Sequence, residues 1–306
     1  MLVKPTYFGT YKNTQGIVVF RHDDWDVKGW ALYALPVYKK YGIAATFFMN
    51  TRVVIDIGQL AVDYAKELIK GRMEVASHFS RHFDLNFYDP SHVLNQAPLP
   101  FPMPEEELRL LLQEAVCDIT DWGGARNGMV ESNVTPWQKW NSLAQQVIPE
   151  YHTSSSHESS GPMPYHPLPD LMDCKSFIIY DVTPVSEVQA TVQDCIANGK
   201  FVQLMFHNIE HNDGTKTQGS FPGAWLDTQL EDLCKWCDQQ RRANPAKIIF
   251  PQMRDATRYM KSQGDYDYRV AKFSIEVAFS FVFPFVHVAP RVYNAAGEEI
   301  LFSSVF

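Results

Sequence analysis

The sequence has few of the features that mark nucleic-acid-binding or membrane-spanning proteins. Lys and Arg number 27 against 35 Asp and Glu, so the net charge of the 306-residue chain is −8. That sign is opposite to what binding to a phosphate backbone requires. A membrane-spanning helix needs about 18 consecutive apolar residues, and the nearest stretch, 277–288, is shorter and contains Pro284 and His287. We therefore expect neither a nucleic-acid partner nor a membrane span.

Cysteine is also scarce, with five residues in the chain. The number is odd, so at least one thiol is unpaired within the chain. Cys234 and Cys237 form a C-x-x-C motif in a segment with a helical pattern, where this spacing favours two small apolar side chains on one buried face. A redox or zinc role is the weaker alternative, because a second C-x-x-C motif to complete a site is missing.

A secretory leader is not recognisable in the first 16 residues. They contain no apolar core of about seven residues, which a signal peptide requires. We expect either a cytoplasmic protein or a secreted protein whose leader has been removed. The sequence indicates no oligomeric state.

Strand-like and helix-like segments alternate from residue 16 to residue 264, which predicts a mostly parallel sheet or a barrel. Gly42 and Gly71 follow two of the helical segments and mark their ends. The predicted strands are 17–20, 44–49, 74–76, 177–182, 201–206 and 247–250. The predicted helices are 28–41, 59–70, 105–120, 132–147, 186–197, 225–244 and 253–263, and little regular structure is expected in 152–173.

The pattern changes after Gly264. Residues 265–306 contain short strand-like stretches and a turn signal at 294–297. We predict a main domain over residues 1–264 and a small β appendage over 265–306 that packs on it. About 40 residues are too few for an independent domain.

Polar side chains follow three of the predicted strands. Asp23 and Asp24 come after strand 17–20, His78 and His82 after strand 74–76, and His207 after strand 201–206. Because the carboxyl ends of parallel strands meet at one edge, we expect these side chains to lie together.

One Asp and two His form a ligand set that suits Zn²⁺ or a similar divalent ion and leaves positions open for water and substrate. A second carboxylate beside the ion could act as a general base, and a further His could protonate a leaving group. Each piece alone has a plainer interpretation: an Asp pair often caps a helix, and an H-x-x-x-H spacing or a single His is often structural. Their joint occurrence after three separate strands favours the site.

These motifs and their order along the chain resemble those of the polysaccharide deacetylases, the carbohydrate esterases of the NodB-homology type. The resemblance covers about residues 16–263 and includes FRHDDWD, GIAATFFMN, EVASHFSRHFDL, GKFVQLMFHN and IIFPQMRDATRYM. Asp23 and Asp24 match the family's F-D-D-G motif, with Trp25 in place of Gly, and His78 and His82 match its histidine pair.

The resemblance implies a distorted (β/α) barrel of the polysaccharide deacetylase type with a small C-terminal β appendage. It implies that Asp24, His78 and His82 hold a divalent metal ion, with Zn first and Co, Ni or Mn as alternatives. It also implies that Asp23 is the general base and His207 the general acid.

The chain departs from the family at an Arg-x-Pro motif whose Arg orients the base. The corresponding place reads GGARNGM, so Arg126 is the candidate for this catalytic role, although the Pro is missing. Asp181 is a weak candidate to support His207, or it only ends a strand. Trp25 and the loops 86–104 and 152–173 leave the substrate open.

The expected function is that of an enzyme, a metal-dependent carbohydrate deacetylase that acts on C–N bonds other than peptide bonds. It would remove N-acetyl groups, in preference to O-acetyl groups, from a carbohydrate substrate with a metal-bound water as nucleophile. Two alternatives stay open: a metal-dependent hydrolase of a small non-sugar amide, and a non-catalytic carbohydrate-binding protein on a degenerate deacetylase fold.

Overall fold

A mostly parallel sheet forms the centre of the computed structural model, which describes residues 15–86, 102–165, 169–220, 223–264, 292–293 and 299–300. The strands are β1 (Gly16–Asp24), β2 (Ala45–Met49), β3 (Glu74–Ser77), β4 (Ser132–Val134), β5 (Ser154–Ser156), β6 (Glu158–Ser159), β7 (Met163–Pro164), β8 (Lys175–Ile178), β9 (Lys200–Phe206), β10 (Asn208–Glu210), β11 (Ala224–Leu226), β12 (Ile248–Ile249), β13 (Val292–Tyr293) and β14 (Glu299–Ile300).

Helices pack around the sheet. They are α1 (Val27–Gly29), α2 (Leu35–Tyr41), α3 (Thr51–Ile57), α4 (Gln59–Lys70), α5 (Glu105–Asp121), α6 (Ser142–Val147), α7 (Val185–Asn198), α8 (Asp227–Ala243) and α9 (Met253–Gly264). A π-helical turn, Trp30–Ala34, joins α1 to α2, and short 3₁₀ turns lie at Pro136–Gln138, Ile148–Glu150 and Leu171–Asp173. Over the described ranges, none of the helices has the length and apolar character that a membrane span needs.

The sheet curls into a nearly closed barrel. Its strands follow the order β5-β4-β3-β2-β1-β9-β8-β6, and every neighbouring pair on this path is parallel. The two end strands, β5 and β6, are separated in the chain by His157 alone, so the ends of the path come back together. β12 adds a short parallel pairing to β1, and β7 pairs antiparallel with β9. The prediction of a distorted (β/α) barrel is confirmed.

Strand β1 lies at the centre of the sheet and separates two cores. Ile17 and Val19 belong to the cluster inside the barrel, whereas Val18 and Phe20 belong to the cluster between the sheet and the helices. This alternation follows from the two-residue period of a strand. Cys234 and Cys237 of α8 belong to the outer cluster, as their spacing on a helix suggested.

Several predicted elements are confirmed at the residue level. Helix 59–70 has the predicted bounds, helix 105–120 extends by one residue, and Gly42 ends α2 with φ 61°. A positive φ costs glycine little, which is why a glycine ends this helix.

Other predictions were wrong. Residues 132–147 are not one helix, because β4 pairs with β3 and β5 and Pro136 then begins a 3₁₀ turn before α6. Strand β1 does not end at Phe20 but continues to Asp24, since its pairing with β2 runs to that residue. The segment 152–173, expected to be irregular, contains β5, β6 and β7. The helix expected from residue 225 begins instead at Asp227, after β11.

The predicted β appendage lies largely outside the described residues. Within 265–306, the structure describes β13 and β14, which pair antiparallel on either side of the turn signal at 294–297. The division into 1–264 and 265–306 therefore stays a prediction. Most of the loop 86–104, from 87 to 101, also lies outside the described residues.

Candidate metal centre

The carboxyl ends of β1, β3 and β9 open into one cavity of about 470 Å³. Asp23 and Asp24 close β1, His78 and His82 follow β3, and His207 follows β9. All five side chains line the cavity. The parallel sheet thus brings together the residues that the sequence separates by up to 184 positions, counted from 23 to 207.

Asp24 reaches the cavity because the backbone departs from regular strand geometry there. Side chains alternate along β1, so Arg21 and Asp23 point into the barrel and His22 points into the outer core. With regular strand dihedral angles, the side chain of Asp24 would also point into the outer core. Asp24 instead has φ 89°, a conformation that residues other than glycine rarely adopt. Two consecutive carboxylates can therefore face the same cavity, and strain of this kind is typical of functional sites.

The Asp24 carboxylate lies between two imidazoles. Its Oδ1 is 3.3 Å from His78 Nε2 and 3.3 Å from His82 Nε2. Potential ligand atoms of the three residues all lie within 4.8 Å of one another. Within the described ranges, these residues form a cluster of side chains that could hold a metal ion. His78 Nδ1 lies 3.0 Å from the carbonyl oxygen of Val134, to which it donates in the neutral tautomer, so Nε2 presents its lone pair to the cavity. The donor set and its geometry fit a divalent metal ion.

Electrostatics favours the ligating form of Asp24 and of His82. Burial alone would raise the pKa of Asp24, but the adjacent side chains of His78 and His82 and the nearby His207 hold it well below its usual range. Burial lowers the pKa of His82, which favours its neutral form. An ionised carboxylate and neutral imidazoles are the forms that bind a divalent ion.

Asp23 is held by Arg21 from the same strand. Arg21 Nε donates to Asp23 Oδ1 at 2.7 Å and Nη2 donates to Oδ2 at 2.5 Å, while Nη1 donates to Ser156 Oγ at 2.9 Å. The two charged side chains are 1% and 4% exposed. Two parallel hydrogen bonds from one guanidinium fix the plane of the carboxylate. Asp23 is thereby an oriented acceptor at the cavity wall.

The prediction that Arg126 orients Asp23 was wrong. Arg126 lies on the surface, 48% exposed, and its Nη1 donates to Asp255 Oδ1 at 3.1 Å. The guanidinium that binds Asp23 belongs to Arg21, inside β1. The spacing of Arg21 and Asp23 could have indicated this pair, since residues i and i+2 of a strand share a face. That argument requires β1 to continue past Phe20.

His207 is held through its backbone. Its carbonyl oxygen accepts a hydrogen bond of 2.6 Å from Trp30 Nε1. Its ring atom Nδ1 is buried and has no hydrogen-bond partner among the described residues. Asp181 therefore does not support the His207 ring as the sequence suggested.

Aromatic side chains form the rim of the cavity. Trp25 and Trp137 flank His82, with ring centroids 5.8 and 4.9 Å from that of the imidazole. Trp137 is 50% exposed and Tyr180 is 49% exposed, and both line the cavity. Trp137 has φ 57° and Gln138 φ 55°, so the turn that presents Trp137 has an unusual backbone. Trp137 was not identified from the sequence, because residues 132–147 were predicted to form a helix.

His22, the first polar residue of the H-D-D run, has a structural role. It is fully buried, its ring stacks on Phe47 and Phe206 at centroid distances of 4.8 and 5.2 Å, and Tyr38 Oη lies 2.6 Å from its Nε2. Burial lowers its pKa to about 3. A neutral imidazole that accepts from the tyrosine hydroxyl fits these contacts.

The family model that describes polysaccharide deacetylases matches residues 10–98. This range contains Asp23, Asp24, His78 and His82. No curated protein matches the chain.

The chain is similar to several solved structures, and one of them, with a TM-score above 0.5, shows the same fold. A candidate polysaccharide deacetylase from Mycobacterium smegmatis aligns with 84% of this chain and 93% of its own at 11% identity, with a TM-score of 0.54. The Xyl-CE4 domain of a multidomain xylanase from the hindgut metagenome of Trinervitermes trinervoides aligns with 83% of this chain and 95% of its own at 12% identity, with a TM-score of 0.46. A CE4 family pseudoenzyme from Bacillus anthracis aligns with 80% of this chain and 66% of its own at 12% identity, with a TM-score of 0.48.

Proposed function

We propose that this chain, whose residues 10–98 match the family model of the polysaccharide deacetylases, is a metal-dependent hydrolase that removes N-acetyl groups, in preference to O-acetyl groups, from a carbohydrate. The observation that carries this proposal is the Asp24, His78 and His82 cluster beside an Asp23 that Arg21 orients. A ligand set, a held carboxylate and a further histidine in one cavity are what metal-assisted amide hydrolysis needs.

Asp24, His78 and His82 would hold the metal ion, with Zn²⁺ first and Co, Ni or Mn as alternatives. When bound, the ion would polarise the acetyl carbonyl and lower the pKa of a water. The protein's part is to keep the carboxylate ionised and the imidazoles neutral, which the directions of the Asp24 and His82 pKa shifts support.

Asp23 would act as the general base. Both of its oxygens accept from Arg21, and each carboxylate oxygen has a second lone pair with which it can accept the proton of the attacking water. Since Arg21 holds the plane of the carboxylate, little reorientation is needed when the proton arrives.

His207 would act as the general acid and donate a proton to the departing nitrogen. An amine leaves as the neutral molecule only if its nitrogen is protonated, whereas an alkoxide is a less demanding leaving group. The presence of a histidine on the cavity wall therefore supports an amide substrate over an ester.

The rim supports a carbohydrate. Trp137 and Tyr180 expose about half of their surface around the cavity. Aromatic rings of this kind offer apolar faces to the C–H groups of a sugar ring while their edges remain in water.

Acetate release tests the proposal. The protein loaded with Zn²⁺ is incubated with N-acetylated oligosaccharides, and Asp23→Asn is compared with Asp255→Asn, a control at an exposed carboxylate that pairs with Arg126. We expect Asp23→Asn to keep its metal and to lose acetate release by at least about a hundredfold, with the control unchanged. Unchanged activity in Asp23→Asn would overturn the assignment of the base.

The same assay separates the other substrates. Cleavage of small non-sugar amides without release from any oligosaccharide would replace the carbohydrate assignment. Sugar binding without turnover under Zn, Co, Ni or Mn would replace the catalytic one.

A further inference from the structure

The segment that carries His207 is tied to the turn that follows β1. Trp30, the first residue of the π-helical turn, is fully buried and donates from Nε1 to the carbonyl oxygen of His207 at 2.6 Å. Such π-helical turns occur frequently at functional sites. Trp30 therefore links the backbone of His207 to the π-helical turn that begins six residues after Asp24.

A second contact holds the same segment two residues further on. Asp26 Oδ2 accepts from the backbone N–H of Ile209 at 3.1 Å, and its Oδ1 accepts from Gly29 N at 3.1 Å. The approach is so close that a Cβ on Gly29 would lie 2.1 Å from Asp26 Oδ2 and 2.6 Å from the carbonyl oxygen of Ile209. Residues 207–209 are thus held at both ends by residues 26–30.

Backbone anchoring matters here because the described part of the chain offers no hydrogen-bond partner to Nδ1 of the His207 ring. Its Nδ1 is buried without a hydrogen-bond partner among the described residues. A catalytic histidine is ordinarily oriented by the partner of its second ring nitrogen. In this chain the position of the imidazole depends on where its own backbone is held.

We propose that Trp30 is a positioning residue for His207: its indole N–H fixes the carbonyl of His207 and so places the imidazole against the leaving nitrogen. This inference rests on the proposed function. It assigns to Trp30 a role that packing in the outer core alone does not require.

Trp30→Phe separates these two roles, because phenylalanine keeps an aromatic ring in the core and removes the N–H donor. Trp225→Phe is the matched control. Trp225 is also buried, at 1% exposure, and its Nε1 donates to the carbonyl oxygen of Thr183 at 3.2 Å. Both variants lose one indole hydrogen bond and a similar volume, but the donor lost in Trp30→Phe is the one that holds the carbonyl of His207, whereas the donor lost in Trp225→Phe holds that of Thr183.

The first measurement uses the dependence on the leaving group. The Zn²⁺-loaded variants hydrolyse an N-acetylglucosamine oligomer, whose amine must be protonated, and 4-nitrophenyl acetate, whose phenolate leaves without a proton. In Trp30→Phe we expect kcat on the oligomer to fall about tenfold, with KM and the ester rate within about twofold. His207→Gln should show the same selectivity with a larger loss, and Trp225→Phe should show none. An equal loss on both substrates, or no loss, would overturn the inference.

The second measurement needs no turnover. In ¹⁵N spectra of the Zn²⁺-loaded protein, the imidazole signals of His207 are identified by their absence in His207→Gln. We expect them to shift or broaden in Trp30→Phe and to stay in place in Trp225→Phe. If the parent releases no acetate from any substrate while these signals move, the proposed function fails and the positioning role stands. If the signals stay in place in Trp30→Phe, the positioning role fails whatever the activity.

Discussion

Replacement of Arg21 by Gln tests the ion pair that orients Asp23, the proposed general base. The substitution removes three donors, two to Asp23 and one to Ser156. Asp23 would remain as a buried carboxylate, 4% exposed in its side chain, without its cation. Breaking a buried pair by removing one partner costs about 3–5 kcal/mol, because the remaining charge is uncompensated.

We therefore expect the free energy of unfolding of Arg21→Gln to fall by about 3–5 kcal/mol, measured by denaturant titration. The double variant Arg21→Gln/Asp23→Asn removes both charges and should recover more than half of that loss, since an amide pair can hydrogen-bond without a buried charge. We expect acetate release to fall by at least about a hundredfold in both variants, because neither has an oriented, ionised Asp23.

Arg126→Gln is the matched control. Its guanidinium is 48% exposed and pairs with a carboxylate that is 45% exposed, so its free energy of unfolding should change by no more than about 0.5 kcal/mol. Its kcat should not change. If Arg21→Gln kept its stability and activity, or if Arg126→Gln lost its kcat, the assignment of the orienting arginine to β1 would be refuted.

Three further predictions concern the metal centre and the turn after β1. His78→Ala should abolish binding of a single divalent ion that the parent retains, as measured by metal analysis of the purified proteins, and an equal metal content in both would contradict the ligand assignment. Asn50→Ala should weaken Zn²⁺ affinity about tenfold in a competition titration, because it removes the side-chain donor to the carbonyl of His78 while keeping the backbone N–H that donates to the carbonyl of Asp24. Unchanged affinity would show that the side-chain contact does not order the ligands. Burial raises the pKa of Asp26 to about 6, so the folded state binds a proton more tightly than the unfolded state and this group lowers stability as pH rises from 4 to 7. The free energy of unfolding of Asp26→Asn, measured at pH 4.5 and 7.5, should therefore improve relative to that of the parent by about 2–3 kcal/mol at the higher pH, and a pH-independent difference would contradict it.

Much of the fold follows from local patterns. Helix α4 and strand β9 carry long, regular apolar periods, and both were predicted to within one residue. The polar residues at strand ends predicted one shared edge because parallel strands leave no other arrangement. This is why the five side chains of the cavity were predicted together without knowledge of the pairing.

The errors come from segments in which tertiary contacts outweigh the local pattern. Strand β4 has three residues, too few to show a period of two, and it is held by its neighbours β3 and β5. Strand β1 tolerates Arg21 and Asp23 inside the barrel because they neutralise each other. The strand was predicted to end at Phe20, so Arg21 was overlooked and Arg126 took its place in the prediction.

The location of Arg21 on β1 has a consequence for how this barrel can vary. Two residues along a strand span about 6.6 Å, and the covalent chain keeps that separation constant. No movement or replacement of a neighbouring loop can draw the arginine away from Asp23. The segments around the cavity, including the turn that presents Trp137, can therefore be exchanged to suit a different ligand while the Asp23 carboxylate keeps its orientation.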